Sequence, residues 1–125
     1  MSAKRVAVSV RVLREAVERK VEVTSLRHVA AEIDMSPSTL HAFIQDESKE
    51  PYNKNYQKLL TWYVRDSCDA QGIDANSAAA SLELLTLHFP PRRRRGVQQK
   101  ILDLLEQLKG EGVPAPQWLT DVKRR

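Results

Sequence analysis

The sequence predicts an all-α protein, with one helical domain over residues 1–70 and a second helical region over residues 74–125. Three observations carry that expectation. Apolar residues recur at i, i+3, i+4 and i+7 along most of the chain, the period of one helix face. Ser, Asn, Gly and Pro, which start and stop helices, fall between those stretches. Strand-like alternation is confined to Val6, Val8, Val10 and Val12. A chain of 125 residues with 42% hydrophobic content suits a modest core. No apolar run approaches the roughly 18–20 residues of a membrane span.

The first helix is read over residues 5–22. Val6, Val10, Leu13, Val17 and Val21 form its apolar stripe, with Arg14, Glu15, Glu18 and Arg19 turned outward. The alternating valines leave a part-strand reading open, but Leu13 to Arg19 is rich in good helix formers. The same N-terminal segment is too polar for a signal peptide. Thr24 or Ser25 is the expected cap of the next helix.

The rest of the chain is organised around Ser25 to Gln45. Leu26, Val29, Ala30 and Ile33 share one helical face, Asp34, Met35 and Ser36 interrupt it, and Leu40, Phe43 and Ile44 resume it. Ser36 is a good N-cap, and Pro37 then falls at the first helical position, where its missing N–H is no loss. Ala30 is small enough to let two helices cross closely over so short a turn.

The placing of Val29, Ala30, Ile33, Met35, Leu40 and Phe43 resembles the helix-turn-helix of the lambda-repressor-like (XRE-type) DNA-binding proteins. One departure is visible. Asp34 stands at the turn position most often filled by glycine, where φ is commonly positive, and Asp tolerates that better than most residues. The resemblance implies that the second helix enters the major groove of duplex DNA. Carried over by position, Ser36, Ser38, Thr39, His41, Ala42 and Gln45 face base edges. Gln45 is suited to bidentate pairing with adenine, whereas no Arg or Lys lies on this helix to read guanine. Arg27 and His28, on the first helix of the pair, are candidate phosphate contacts.

A polar loop follows, with Asp46, Glu47 and Glu50 partly offset by Lys49, Lys54 and Lys58. Tyr52, Asn53, Lys54, Asn55 and Lys58 are further phosphate candidates, since related proteins contact the backbone from this loop and the next helix. That helix is expected from about Asn55 to Cys68, with Tyr56, Leu59, Leu60, Tyr63 and Val64 as its stripe and Trp62 at the edge. The helical spacing of Tyr56, Trp62 and Tyr63 favours core packing over a stacking platform for single strands. Gly72 suits a helix C-cap.

Beyond residue 74 the chain is leucine-rich. Asn76 is a cap candidate for a helix that Pro90 and Pro91 stop. Arg92, Arg93, Arg94 and Arg95 then form the densest charge in the chain, read as a grip on phosphates, with binding of an acidic protein partner and a plain solvated linker as the alternatives. After Gly96 a further helix carries Val97, Ile101, Leu104, Leu105 and Leu108, and a short last helix carries Trp118, Leu119 and Val122. The terminal Lys123, Arg124 and Arg125 read as a frayed, solvated end. Two leucine-rich helices need a covering surface; they either fold back on the first half in a monomeric bundle or meet a second copy, and a homodimer is preferred because it matches two half-sites on DNA.

The net charge of +4 favours an anionic partner. Cys68, the single cysteine, fits a reducing cytosol, which the resemblance implies is of bacterial or phage type, and is expected as a small buried hydrophobe. His28, His41 and His88 show no metal-ligand spacing, and no cofactor, metal or catalytic centre is expected. The expected function is a cytoplasmic, sequence-specific duplex-DNA-binding transcriptional regulator, repressing by occlusion. The alternative is a protein-interaction module, an antitoxin or adaptor, that shares the fold but does not read DNA.

Overall fold

The computed structural model describes residues 9–46, 51 and 53–124, without the side chain of Asn53. Val6, Val8, Glu47, Lys49, Glu50, Tyr52 and Arg125 lie outside the described residues. Seven α-helices and no strand occur among the described residues: α1 (Val10–Val23), α2 (Leu26–Ile33), α3 (Pro37–Gln45), α4 (Asn53–Gln71), α5 (Ala75–Leu85), α6 (Pro91–Leu108) and α7 (Gln117–Lys123). The protein is all-α, and none of these helices is long and apolar enough to cross a membrane.

α1 to α4 close around one core. Leu13 and Val17 from α1, Val29, Ala30 and Ile33 from α2, Leu40 and Phe43 from α3, and Leu59, Leu60, Trp62 and Tyr63 from α4 are all buried in it. Trp62 and Tyr63 are therefore packing residues, with Trp62 further in than the helix edge expected for it. α4 is also longer at both ends than expected, and Gly72, at φ 78°, turns the chain out of it. Cys68 is exposed rather than buried. Its neighbour Ser67, about 100° round the helix, holds the inward position instead.

α5 belongs to two cores at once. Ala79 and Ala80 join the first, while Ala78 and Leu82 join a second with Leu102 of α6 and Leu119 and Val122 of α7. A run of small side chains lets neighbours approach this helix on both sides. Its N-cap is Asp74, not Asn76. The Asp74 carboxylate accepts from the Ser77 N–H at 2.8 Å, and the Ser77 hydroxyl accepts from the Asp74 N–H at 2.8 Å, a reciprocal box.

α6 departs most from expectation. Arg92 to Arg95 are not a linker but its first turns, and Gly96 lies inside it. Pro90 ends the preceding turn in an extended conformation, and Pro91 then serves as the first helical residue by the same rule that Pro37 obeys. α6 buries Gln98 and Leu102. Glu83, Thr86 and Gln98 make a buried polar joint: the Gln98 amide donates to Glu83 Oε2 at 3.1 Å and to Thr86 Oγ1 at 2.9 Å. Lys123 is not a frayed end. It bridges from α7 to Asp103 of α6 at 3.0 Å and to Glu106.

Candidate nucleic-acid interface

The turn between α2 and α3 is set by backbone geometry. Asp34 sits at φ 64°, ψ 53°, the left-handed conformation expected at this position. The Met35 N–H donates to Ala30 O at 2.9 Å and the Asp34 N–H to Ala31 O at 3.3 Å, a Schellman closure with Asp in the glycine's place. Lys58 of α4 braces it, donating to Asp34 O at 2.7 Å with Asp34 Oδ2 at 3.6 Å. Two residues after Asp34, Ser36 caps α3: its hydroxyl accepts from the Thr39 N–H at 3.2 Å and lies 2.7 Å from Thr39 Oγ1.

The far end of α3 is held by a residue that the sequence reading turned outward. Arg14 of α1 is only 6% exposed. Its Nε donates to Phe43 O at 2.9 Å and its Nη2 to Asp46 O at 3.3 Å, and its guanidinium lies 4.8 Å from the centre of the Phe43 ring. A planar fork of donors meets the carbonyls that a helix leaves unpaired at its C-terminus, and a cation there also suits the helix dipole. No local signal marks such a contact, because the two residues stand far apart in the chain.

With both ends fixed and Leu40 and Phe43 anchored, the other face of α3 is open. Ser36, Ser38, Thr39, His41, Ala42 and Gln45 are all exposed. Ser36 and Thr39 spend hydroxyl capacity on each other, whereas the His41 imidazole and the Gln45 amide are unengaged among the described residues. Ser38, Ala42 and Gln45 follow one another at four and three positions, so they line one side of the helix.

The border of this face is mixed in charge. Arg27, His28 and Lys54 are exposed, Asn55 is half-buried, and Lys58 is committed to Asp34. Glu32, whose Oε2 lies 3.7 Å from His28 Nε2, and Asp34 and Asp46 stand beside them. A shallow groove of about 290 Å³ lies between the turn and α4, lined by Asp34, Ser36, Thr39, Asn55 and Lys58 among others. Of the arginine run, Arg92, Arg93 and Arg95 are exposed. Arg94 is turned back on its own chain, donating to Leu87 O at 2.7 Å and Phe89 O at 3.0 Å, with Glu83 3.7 Å away. It stabilises the α5–α6 turn, which leaves three of the four arginines facing outward.

Among the described residues no group of three His, Cys, Asp or Glu side chains is placed to hold a metal. Comparison with protein-family models, with curated proteins and with solved structures gives no match to this chain.

Proposed function

We propose that the protein is a sequence-specific duplex-DNA-binding regulator that reads the major groove with α3, as the lambda-repressor-like helix-turn-helix proteins do, and that represses by occupying its site. The observation that carries this reading is the open face of α3. Six outward positions are exposed, none of them Lys, Arg, Asp or Glu, five bear hydroxyl, imidazole or amide groups, and the helix beneath is fixed at both ends. Among the exposed cations, Arg27 and Lys54 of α2 and α4 and Arg92, Arg93 and Arg95 of α6, a helix that packs on α5 and α7 rather than on α3, are assigned the phosphate contacts. Two copies, each presenting one α3, occupy two half-sites.

Fluorescence anisotropy of labelled duplex at rising salt tests it. If those five cations each neutralise a phosphate, the logarithm of the binding constant falls against the logarithm of salt with a slope of about −4.5. Absence of duplex binding at low salt refutes the reading. A second reading, a protein-interaction module, has one observation in its favour: the α3 face carries no cation and is bordered by Glu32, Asp34 and Asp46. Failure on duplex DNA would decide for it.

A further inference from the structure

The first two turns of α6 break three helix rules at once, and little within the fold offsets them. Arg92 to Arg95 crowd the positive end of the helix dipole, where a carboxylate would be favourable, and no side chain caps that end. Arg92 and Arg95, one turn apart, repel each other. Gly96 stands inside the helix, where glycine is the poorest former after proline, yet a Cβ there would meet nothing within 4 Å. Of the four arginines Arg94 is satisfied, by Leu87 O, Phe89 O and Glu83. Arg92, Arg93, Arg95 and, further along, Lys100 are exposed and bonded to no described residue. Arg92, Gly96 and Lys100 follow at steps of four with Arg93 beside them, so they share one side of α6, away from the buried Gln98 and Leu102. The first carboxylate on that side, Asp103, lies beyond Lys100 and is bonded to Lys123 and Gln99.

We infer that this side of α6 lies along the phosphate backbone of a duplex and holds it without regard to sequence, as a surface separate from α3. The inference rests on the duplex-binding part of the reading above and adds Gly96 and Lys100 to it. Local rules broken together, with no gain inside the fold, mark a functional surface. An anion supplies what is missing here: it offsets the repulsion among the arginines and suits the dipole they oppose. With no side chain at Gly96, a backbone reaches the helix surface between the guanidinium groups on one side and the Lys100 ammonium on the other. Arg92 and Lys100 stand about 12 Å apart along the axis, the length of three to four base pairs. An extended polymer of regular charge fits such a strip, and the guanidinium forks match phosphate oxygens in pairs. Contacts of this kind carry no sequence information. α6 packs on α5 and α7, α3 packs on α1 and α2, and no helix packs on both, so the strip is not a border of the α3 face.

Fluorescence anisotropy of the full chain on labelled random-sequence duplex at rising salt tests the strip. With Lys100 as a sixth contact the slope is about −5.4, and the variant carrying Arg92→Gln, Arg93→Gln and Lys100→Gln together flattens it by about 2.7, with unchanged circular dichroism. An unchanged slope in that variant overturns the strip; loss of its binding to labelled polyglutamate alongside would assign the face to an acidic protein instead. Gly96→Leu gives a second readout, because Leu is the better helix former and fills the gap. It is expected to raise the urea midpoint while weakening duplex binding at least fivefold at low salt. A lowered midpoint, or undiminished binding, overturns the close approach at Gly96. Sites selected from a random duplex pool judge α3 separately. The triple variant is expected to select the same sites as the wild type, and altered sites overturn the strip's indifference to sequence. If the wild type selects none while the slope still flattens, the α3 reading fails and the strip stands. A wild type that binds no duplex overturns both.

Discussion

Replacing Arg14 by Met separates what holds α3 from what α3 presents. Met keeps most of the buried aliphatic stem but removes the guanidinium. The bond to Phe43 O, at 2.9 Å, is short and buried, and its loss strands a carbonyl inside the core. The bond to Asp46 O, at 3.3 Å, is longer, and its acceptor sits on an exposed residue that water can reach. Hydrogen bonds from a charged donor contribute about 1.5–3 kcal/mol each, so the first bond at full strength and the second at a fraction give about 3 kcal/mol. For a chain of this size that is a fall of about 10 °C in melting temperature. Arg14→Lys keeps a cation near the helix C-terminus but not the fork, and should lose about half as much. Thermal denaturation followed by circular dichroism measures both variants. If the two melt within a couple of degrees of the wild type, Arg14 does not hold α3 and the account of the site's rigidity fails.

Three further outcomes follow from the same geometry. Gln45→Ala should change which sequences are selected from a random duplex pool, with adenine-containing sites losing most, while affinity for random duplex stays within about twofold; an unchanged selection would remove Gln45 from the reading face. Asp34→Gly should stabilise by about 0.5–1 kcal/mol, because glycine adopts the left-handed conformation without a Cβ and the exposed Lys58 pair it gives up is worth little; a lower urea midpoint would show that the Asp34 carboxylate matters more than its φ. The Asp103–Lys123 link should give stability a plateau with two edges. Hydrogen bonding to Lys123, then to Gln99, holds the Asp103 carboxyl below its ordinary 3.8, so its contribution is present above that value and lost as pH falls through the folded-state value. Bonds to Glu106 and then Asp103 raise Lys123 above 10.5, as the bond to Asp66 raises Lys20, so those contributions are full below 10.5 and lost above it. Lys123→Met should therefore shrink the acid edge contributed by Asp103 to the part held by Gln99, but keep the alkaline edge from Lys20, read from urea midpoints across pH.

Local chemistry was legible wherever one residue and its near neighbours decide the outcome. Ser25 and Ser36 cap the helices expected of them, Gly72 turns the chain out of α4, and Asp34 takes the positive φ that its position in the turn called for. The apolar stripes of α1 to α4 identified nearly all of the first core. What escaped was whatever depends on a distant partner. Arg14 has the same local context as any solvated arginine, and only the approach of α3 to α1 turns it inward. α6 carries two overlapping apolar stripes, and nothing local says that Gln98, a polar residue, faces in while Leu104 and Leu108 face out; that choice rests on Glu83 and Thr86 of another segment. At Pro90 and Pro91 the rule itself was read one way only. Proline stops a helix, but it also starts one, and Pro91 does the second.

The stability of α3 comes from elsewhere, and this is what makes it suited to present a variable surface. A helix of nine residues is marginal by itself. Here Ser36 fixes one end, Arg14 the other, and Leu40 and Phe43 anchor the middle, so none of the residues that hold it, apart from the cap, lies on its outward face. Ser38, His41, Ala42 and Gln45 are therefore free to be chosen for what they touch. Substitutions at these four should leave the unfolding free energy from urea denaturation within about 0.5 kcal/mol of the wild type, as exposed positions away from caps usually do. Arg14→Met, which touches no outward atom of α3, should move the midpoint most. If instead the outward substitutions unfold the protein, that face is packed against something, and its proposed role in reading duplex DNA is lost with its exposure.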